Sequence, residues 1–216
     1  MYELCGTILG SVASEKYLGV YLNHDLKWDH HIDQVATKAA RKLGFIRRNL
    51  RGAPAECKRL AYIALVRSGM EYAAVIWDPH TSKNISKLEK VQRSAARWVH
   101  SRYSRKTSVT NLLEPSRLEP LESRRRSQRL AFMHKILNGQ VAVPMASLDL
   151  TLSKRPARGR DANPLKLDTL MARTSEFKHS FAVKTIKEWN ATPGSVASAD
   201  SLTSFKSRLN KFCPSP

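Results

Sequence analysis

The sequence predicts a mainly α-helical protein: a helical bundle preceded by a short β-hairpin, with a small mixed or helical C-terminal extension. Three observations carry that expectation. Apolar residues step by threes and fours through residues 28–50 and again through 82–100, the period of a helix with one buried face. A short β-like run, "KYLGVYL" at 16–22, precedes the first of these stripes. Near residue 139 the composition changes, where "NGQVAVP" and then "SKRPARGRDANP" read as a helix stop followed by a basic linker. The expected division is therefore a hairpin over 1–27, a helical domain over 28–140, a linker over 141–165 and a helical extension over 166–216.

Each element has its own signals. In the first helix Ile32, Val35, Ala36, Ala39, Leu43, Ile46 and Leu50 form the stripe. Asp29 and Asp33 favour its N-terminus, Arg47, Arg48 and Arg51 its C-terminus, and Gly52 ends it. Pro54 and Glu56 suit the start of a second helix reaching Gly69, and "MEYAAVIW" continues to Trp77, stopped by Asp78 and Pro79. A third helix, from Ser82 to about His100, places Ile85, Leu88, Val91, Ala95, Trp98 and Val99 in one arc and Lys83, Lys87, Lys90, Arg93 and Arg97 opposite. A fourth, from about Leu118 to Asn138, carries Arg124, Arg125, Arg126 and Arg129. Three adjacent arginines cannot share one face, so at least one turns inward and needs an acid such as Glu119 or Glu122. The same triplet also fits a nuclear address. In the tail, Phe177, Phe181, Ile186 and Trp189 are packing anchors, and Asp200 or Ser201 caps a short last helix.

Charge is the anomaly in the composition. Thirty-seven Lys and Arg stand against eighteen Asp and Glu, a net of +19, while the apolar fraction (42%) and charged fraction (25%) suit a globular chain. Residues 1–40 are net −2, residues 41–130 net +14 and residues 131–216 net +7. So strong a field favours polyanions, and nucleic acid is the leading partner. On the third helix Glu89 is the only acid beside five bases, so salt-bridge lacing does not account for the stripe; phosphate contact and a plain solvated face both remain open. Arg41, Arg47 and Arg48 add to the candidate nucleic-acid contacts.

Other classes are disfavoured. The longest apolar runs, "AYIALV" and "YAAVIW", fall far short of the ~20 residues a membrane span needs. Glu3 stands where a secretory leader would be basic, so an intracellular location, nucleus or cytoplasm, is expected and secretion is not. Cys5, Cys57 and Cys213 are too scattered for a zinc module or a disulfide framework. In "KYLGVYLNHDLKWDHHI" (16–32) three His and two Asp, with Asp33 immediately after, invite a catalytic or metal reading. However, His24 precedes the helix, and His30 and His31 are adjacent, so they diverge by about 100°. Asp25 in a turn and Asp29 as a helix cap is the plainer account, with no metal site, no cofactor and no catalytic residue.

The same stretch resembles the end of the reverse-transcriptase domain of non-LTR (LINE-type, jockey- or CR1-like) retrotransposons, where a Tyr-Leu-Gly-Val strand precedes a Leu-x-Trp-x-x-His-Ile signature. The resemblance continues in order through "RRNLRGAPAECKRLAYIALVRSGMEYAAVIWDP", "LEKVQRSAARWV", "SVTNLL", "LEPLESRRRSQRLAFMHKILNG" and "SFAVKTIKEWNATP" with "SFKSRL", nearly the whole chain. It implies that Lys16, Tyr17, Leu18 and Gly19 are the primer-grip segment, that Trp28, His31 and Ile32 are hinge packing, and that the helices after them form a thumb clamping a template-primer duplex by its backbones. The family usually has Pro in place of Ser68 or Gly69. The family's palm needs an Asp-Asp turn holding two metal ions; no Asp-Asp occurs in these 216 residues, and neither an endonuclease nor a Cys/His knuckle is present. The implied function is a truncated RNA-directed DNA polymerase that keeps the thumb region without the palm, and any Mg²⁺ belongs to the palm. Alternatives are a host-retained basic RNA- or DNA-binding protein and a non-functional translation of a decayed element.

Overall fold

The computed structural model describes residues 2–4, 7–103, 110–113, 116–154, 159 and 161–212. Cys5, Cys213, and Arg155, Arg158 and Arg160 of the basic stretch lie outside them. The protein is mainly helical, with two two-stranded antiparallel hairpins at its start: β1 (Tyr2–Leu4) with β2 (Thr7–Leu9), and β3 (Ser14–Tyr17) with β4 (Val20–Asn23).

The Tyr-Leu-Gly-Val run is therefore not one strand. Tyr17 closes β3 against Val20 of β4, and Leu18 and Gly19 form the turn, with φ of +45° and +87°. Two positive φ values in a two-residue turn match the right-handed twist of a hairpin, and only glycine takes the second without strain. After β4 the Asp25 carboxylate accepts from the Lys27 amide at 3.0 Å, as expected for a turn residue. Asp29 does not cap the helix that follows. It is the first helical residue, and its carboxylate accepts from the Asn84 side chain at 3.3 Å.

Helix α1 spans Asp29–Asn49. A second helical run follows as α2 (Ala55–Ala61), a π-helical stretch (Tyr62–Arg67) and α3 (Ser68–Glu71). It does not flow smoothly into α4 (Ala74–Trp77), because Ala73 adopts a left-handed conformation and breaks it. Next come α5 (Ser82–Val99), α6 (Thr110–Leu113) and α7 (Leu121–Leu137). After a 3₁₀ turn (Met145–Leu148) the chain ends in α8 (Ser175–Lys178), α9 (Phe181–Asn190), α10 (Gly194–Ala197) and α11 (Leu202–Phe212). Ser201 caps α11, accepting from the Ser204 amide at 3.1 Å.

Two apolar cores organise these elements. The first gathers Val20, Ile32, Leu43, Ile46, Tyr62, Trp77, Leu88 and Trp98; the second gathers Leu130, Met133, Leu167, Ile186, Trp189 and Phe205. They meet along α7, whose Leu121 belongs to the first and Leu130 to the second, so the change of core falls inside a helix and not at residue 140. Nor do the described residues of 141–165 form a free linker. Val141, Val143, Met145 and Leu148 pack on the second core, Leu152 bridges Leu167, and buried Asn163 donates to the Trp189 carbonyl at 2.8 Å.

Buried charges stitch the junction together. Asp78, expected only as a helix stop, accepts from Arg125 at 2.7 Å and from Arg129 and Lys184. Arg129 also makes a two-pronged contact with Glu188 at 2.7 Å. Arg124 pairs with Glu71 and only distantly with Glu119 (3.8 Å), and Glu122 takes no arginine among the described residues. Of the arginine triplet, Arg124 thus ties α7 to α3 and Arg125 ties it to the end of α4, while Arg126 lies 3.9 Å from Glu188 of α9.

Candidate nucleic-acid interface

Helices α1 and α5 run side by side in the same direction. Asp29 meets Asn84 and Asp33 meets Lys87 near their starts, while Arg47 and Trp98 share a recess near their ends. The buried arc of α5 includes Leu88, Val91, Ala95, Trp98 and Val99. Its geometry turns Lys83, Lys90 and Arg93 outward, where all three are exposed and make no ion pair among the described residues. Lys87 differs, being partly buried and paired to Asp33. Arg97 is half-buried with its Nε unpartnered.

The acid of α5 does not neutralise this face. Glu89 is buried and accepts from the Glu122 amide at 3.2 Å, which caps the start of α7; burial holds its carboxyl above the ordinary range. Glu71 and Asp78 are likewise spent on internal partners. On α5 the acid points in and Lys83, Lys90 and Arg93 point out, so the outer face of this helix is cationic.

On α1, Arg41 and Arg48 are exposed and Arg47 is half-buried. The structure separates them into two neighbourhoods. Arg41, with Lys38 and Lys42, lines a groove of about 530 Å³ whose opposite wall holds Lys16, Leu18 and Gly19. Tyr72 fixes that wall: its hydroxyl donates to the Leu18 carbonyl at 3.0 Å, and its ring would lie 3.3 Å from a Cβ placed on Gly19. Tyr17, grouped with these residues on sequence grounds, is 65% exposed and outside the groove. Arg47 and Arg48 instead line a separate recess with Arg51 and Lys58. The exposed stripe of α5 is on neither wall.

His31 lies at the hinge between hairpin and bundle. Its Nδ1 accepts from the Tyr21 amide at 3.2 Å, and its ring meets Trp77 edge-on at 5.0 Å and Trp28 at 6.3 Å. Burial, aided by the neighbouring His30, lowers its pKa to about 4, so it stays neutral near pH 7. A neutral histidine with Nδ1 committed to the backbone is a packing group here.

Sequence reasoning did not single out Lys38, Lys42, Lys58, Tyr72 or Tyr103. Lys38 and Lys42 lie one turn apart on α1, a helical spacing visible in the sequence. Tyr72 and Lys58 depend on tertiary contacts with residues 54 and 43 positions away. Among the described residues no three His, Cys, Asp or Glu side chains converge to hold a metal ion, and no helix is long and apolar enough to cross a membrane. Comparison with protein-family models, with curated proteins and with solved structures finds no match.

Proposed function

We propose that this chain grips a nucleic-acid duplex through its phosphate backbones, as the primer-grip and thumb region of a non-LTR retrotransposon reverse transcriptase without the catalytic palm. The observation that carries the reading is the outer face of α5, where Lys83, Lys90 and Arg93 project without an ion pair among the described residues while Glu89 turns inward. Backbone recognition needs cations on rigid elements and no base-reading groups, which suits such a face. The Lys16 to Gly19 wall facing Lys38, Arg41 and Lys42 supports the primer-grip part. The hairpin and the turn after it also leave Tyr17, Leu18, Leu22 and Leu26 exposed, apolar side chains suited to packing against a further sheet. The setting is intracellular, in nucleus or cytoplasm, and no metal or cofactor is assigned to this chain.

Duplex binding titrated against salt tests the reading. Neutralising about five phosphates gives a log–log slope of roughly −4 to −5. Extension of a primed RNA template with Mg²⁺ is expected to be undetectable, and incorporation by the chain alone would overturn the palm-less assignment. A host-retained binder with sequence preference would bind some duplexes far better than others, whereas backbone recognition binds them alike.

A further inference from the structure

We propose that the recess between the ends of α1 and α5 binds a terminal phosphate, the phosphomonoester of a strand end or nucleotide. Its volume is about 350 Å³, and Arg47, Arg48, Arg51, Lys58, Trp98 and Tyr103 line it. The choice of a nucleotide as the phosphate's carrier rests on the nucleic-acid reading above.

Lys58 is the decisive residue. It is only 7% exposed, yet no carboxylate among the described residues pairs with it. Its ammonium lies 3.5 Å from the Ser101 hydroxyl and 6.0 Å from the centre of the Trp98 ring. Lysines withdrawn this far from water ordinarily have an anionic partner. The nearest candidate on its own helix, Glu56, is taken by Arg59 at 2.6 and 2.9 Å.

Charge bookkeeping selects the ligand. Two helix C-termini converge on the recess and contribute about −0.5 each, which offsets roughly one of its four cations. A surplus of about three charges exceeds what one phosphodiester brings, whereas a phosphomonoester carries about −1.5 to −2 near pH 7. Ser101 points the same way. It closes α5 with a φ of +53°, where glycine is the usual residue, and the Arg102 amide completes the turn by donating to Arg97 at 2.9 Å. A glycine there would relieve the backbone and lose the hydroxyl beside Lys58. Tyr103, more than half exposed with the Arg47 guanidinium 5.6 Å from its ring centre, offers a stacking surface for the attached base.

The test uses the full chain and two duplexes of one sequence, phosphorylated at both ends of both strands or at none. Expected is at least fivefold tighter binding of the phosphorylated duplex. Arg51→Gln, at an exposed turn position where folding is not at risk, should erase that difference and leave the unphosphorylated duplex within twofold. Lys58→Met should do the same, with a thermal melt to verify that it folds. In competition, a nucleoside 5′-monophosphate should displace the phosphorylated duplex better than inorganic phosphate, and Tyr103→Ala should remove that advantage; equal competition overturns the nucleotide assignment. Equal affinity for the two duplexes overturns the terminal-phosphate site and leaves backbone gripping intact. Loss of all duplex binding, with Arg51-dependent binding of the monophosphate retained, sinks backbone gripping and supports the recess.

Discussion

Asp78 is 7% exposed and has three cations around it, Arg125, Arg129 and Lys184, of which the two arginines are themselves almost wholly buried. A buried ion pair adds little net stability when complete, but removing one member strands its partners in a poor solvent. Asp78→Ala is therefore expected to cost about 3–5 kcal/mol in urea unfolding. Lys184→Met should cost under about 1 kcal/mol, since that ammonium keeps partial access to water. A loss below about 1 kcal/mol for Asp78→Ala would show that the cluster does not hold α4, α7 and α9 together. His31 gives a second measurable consequence. Its folded pKa, about 4, lies below the ordinary 6.5, so the unfolded chain takes the proton first as pH falls. Its neutral burial thus supports the fold fully above pH 6.5, and that support drains away between 6.5 and about 4. The expected loss is about 2 kcal/mol after allowance for residual solvation. Urea midpoints measured from pH 7 to 4.5 should fall, and His31→Gln should flatten part of that fall. An unchanged pH dependence in the variant would move the effect to other groups.

The helices were legible because their apolar stripes were long and regular: Ile32 to Leu50 gave α1 and Ile85 to Val99 gave α5, each within a residue or two. What periodicity could not reveal was where a helix changes its winding. The π-helical stretch at Tyr62–Arg67 begins inside the apolar run 61–66, which carries no mark of the change; there the Tyr62 hydroxyl donates to the buried Gln92 side chain at 3.1 Å. Composition also misled over the described part of residues 141–165, which read as a linker while Ser153, Asp161 and Asn163 are strapped down by backbone and amide hydrogen bonds. Asn190 illustrates why: its side chain accepts from the Leu167 amide and donates to the Leu167 carbonyl, both at 2.8 Å, a pairing visible only after folding. Gly194 marks the tightest point of this strap. A Cβ there would lie 2.5 Å from the Ala162 carbonyl oxygen, where the Asp161 carboxylate also accepts from the Ser195 amide. Gly194→Ala is expected to destabilise by about 1–3 kcal/mol through overpacking. Thermal unfolding followed by Trp189 fluorescence would register it, and a neutral result would mean the strap yields easily.

Net charge of +19 makes any anion attractive, so attraction by itself cannot locate an interface. The candidate contacts were legible only as a list of cations; the fold then split them, pairing Lys87 with Asp33, drawing Arg47 and Arg48 into a recess and leaving Lys83, Lys90 and Arg93 free on α5. This division supplies a control that composition could not. Replacing Lys83, Lys90 and Arg93 with Gln lowers the net charge by three, and so does replacing Lys166, Lys178 and Lys187, three exposed lysines of the C-terminal half. Both variants weaken long-range steering by a similar amount, but only the first removes cations from the proposed contact. If α5 lies against phosphates, the salt slope of the first variant should fall in magnitude by roughly 2 to 3, at about 0.9 per phosphate released, while the second keeps the parent slope. Two variants that change alike would show that the protein senses its ligand only through its overall field, and the stripe on α5 would then be a solvated surface.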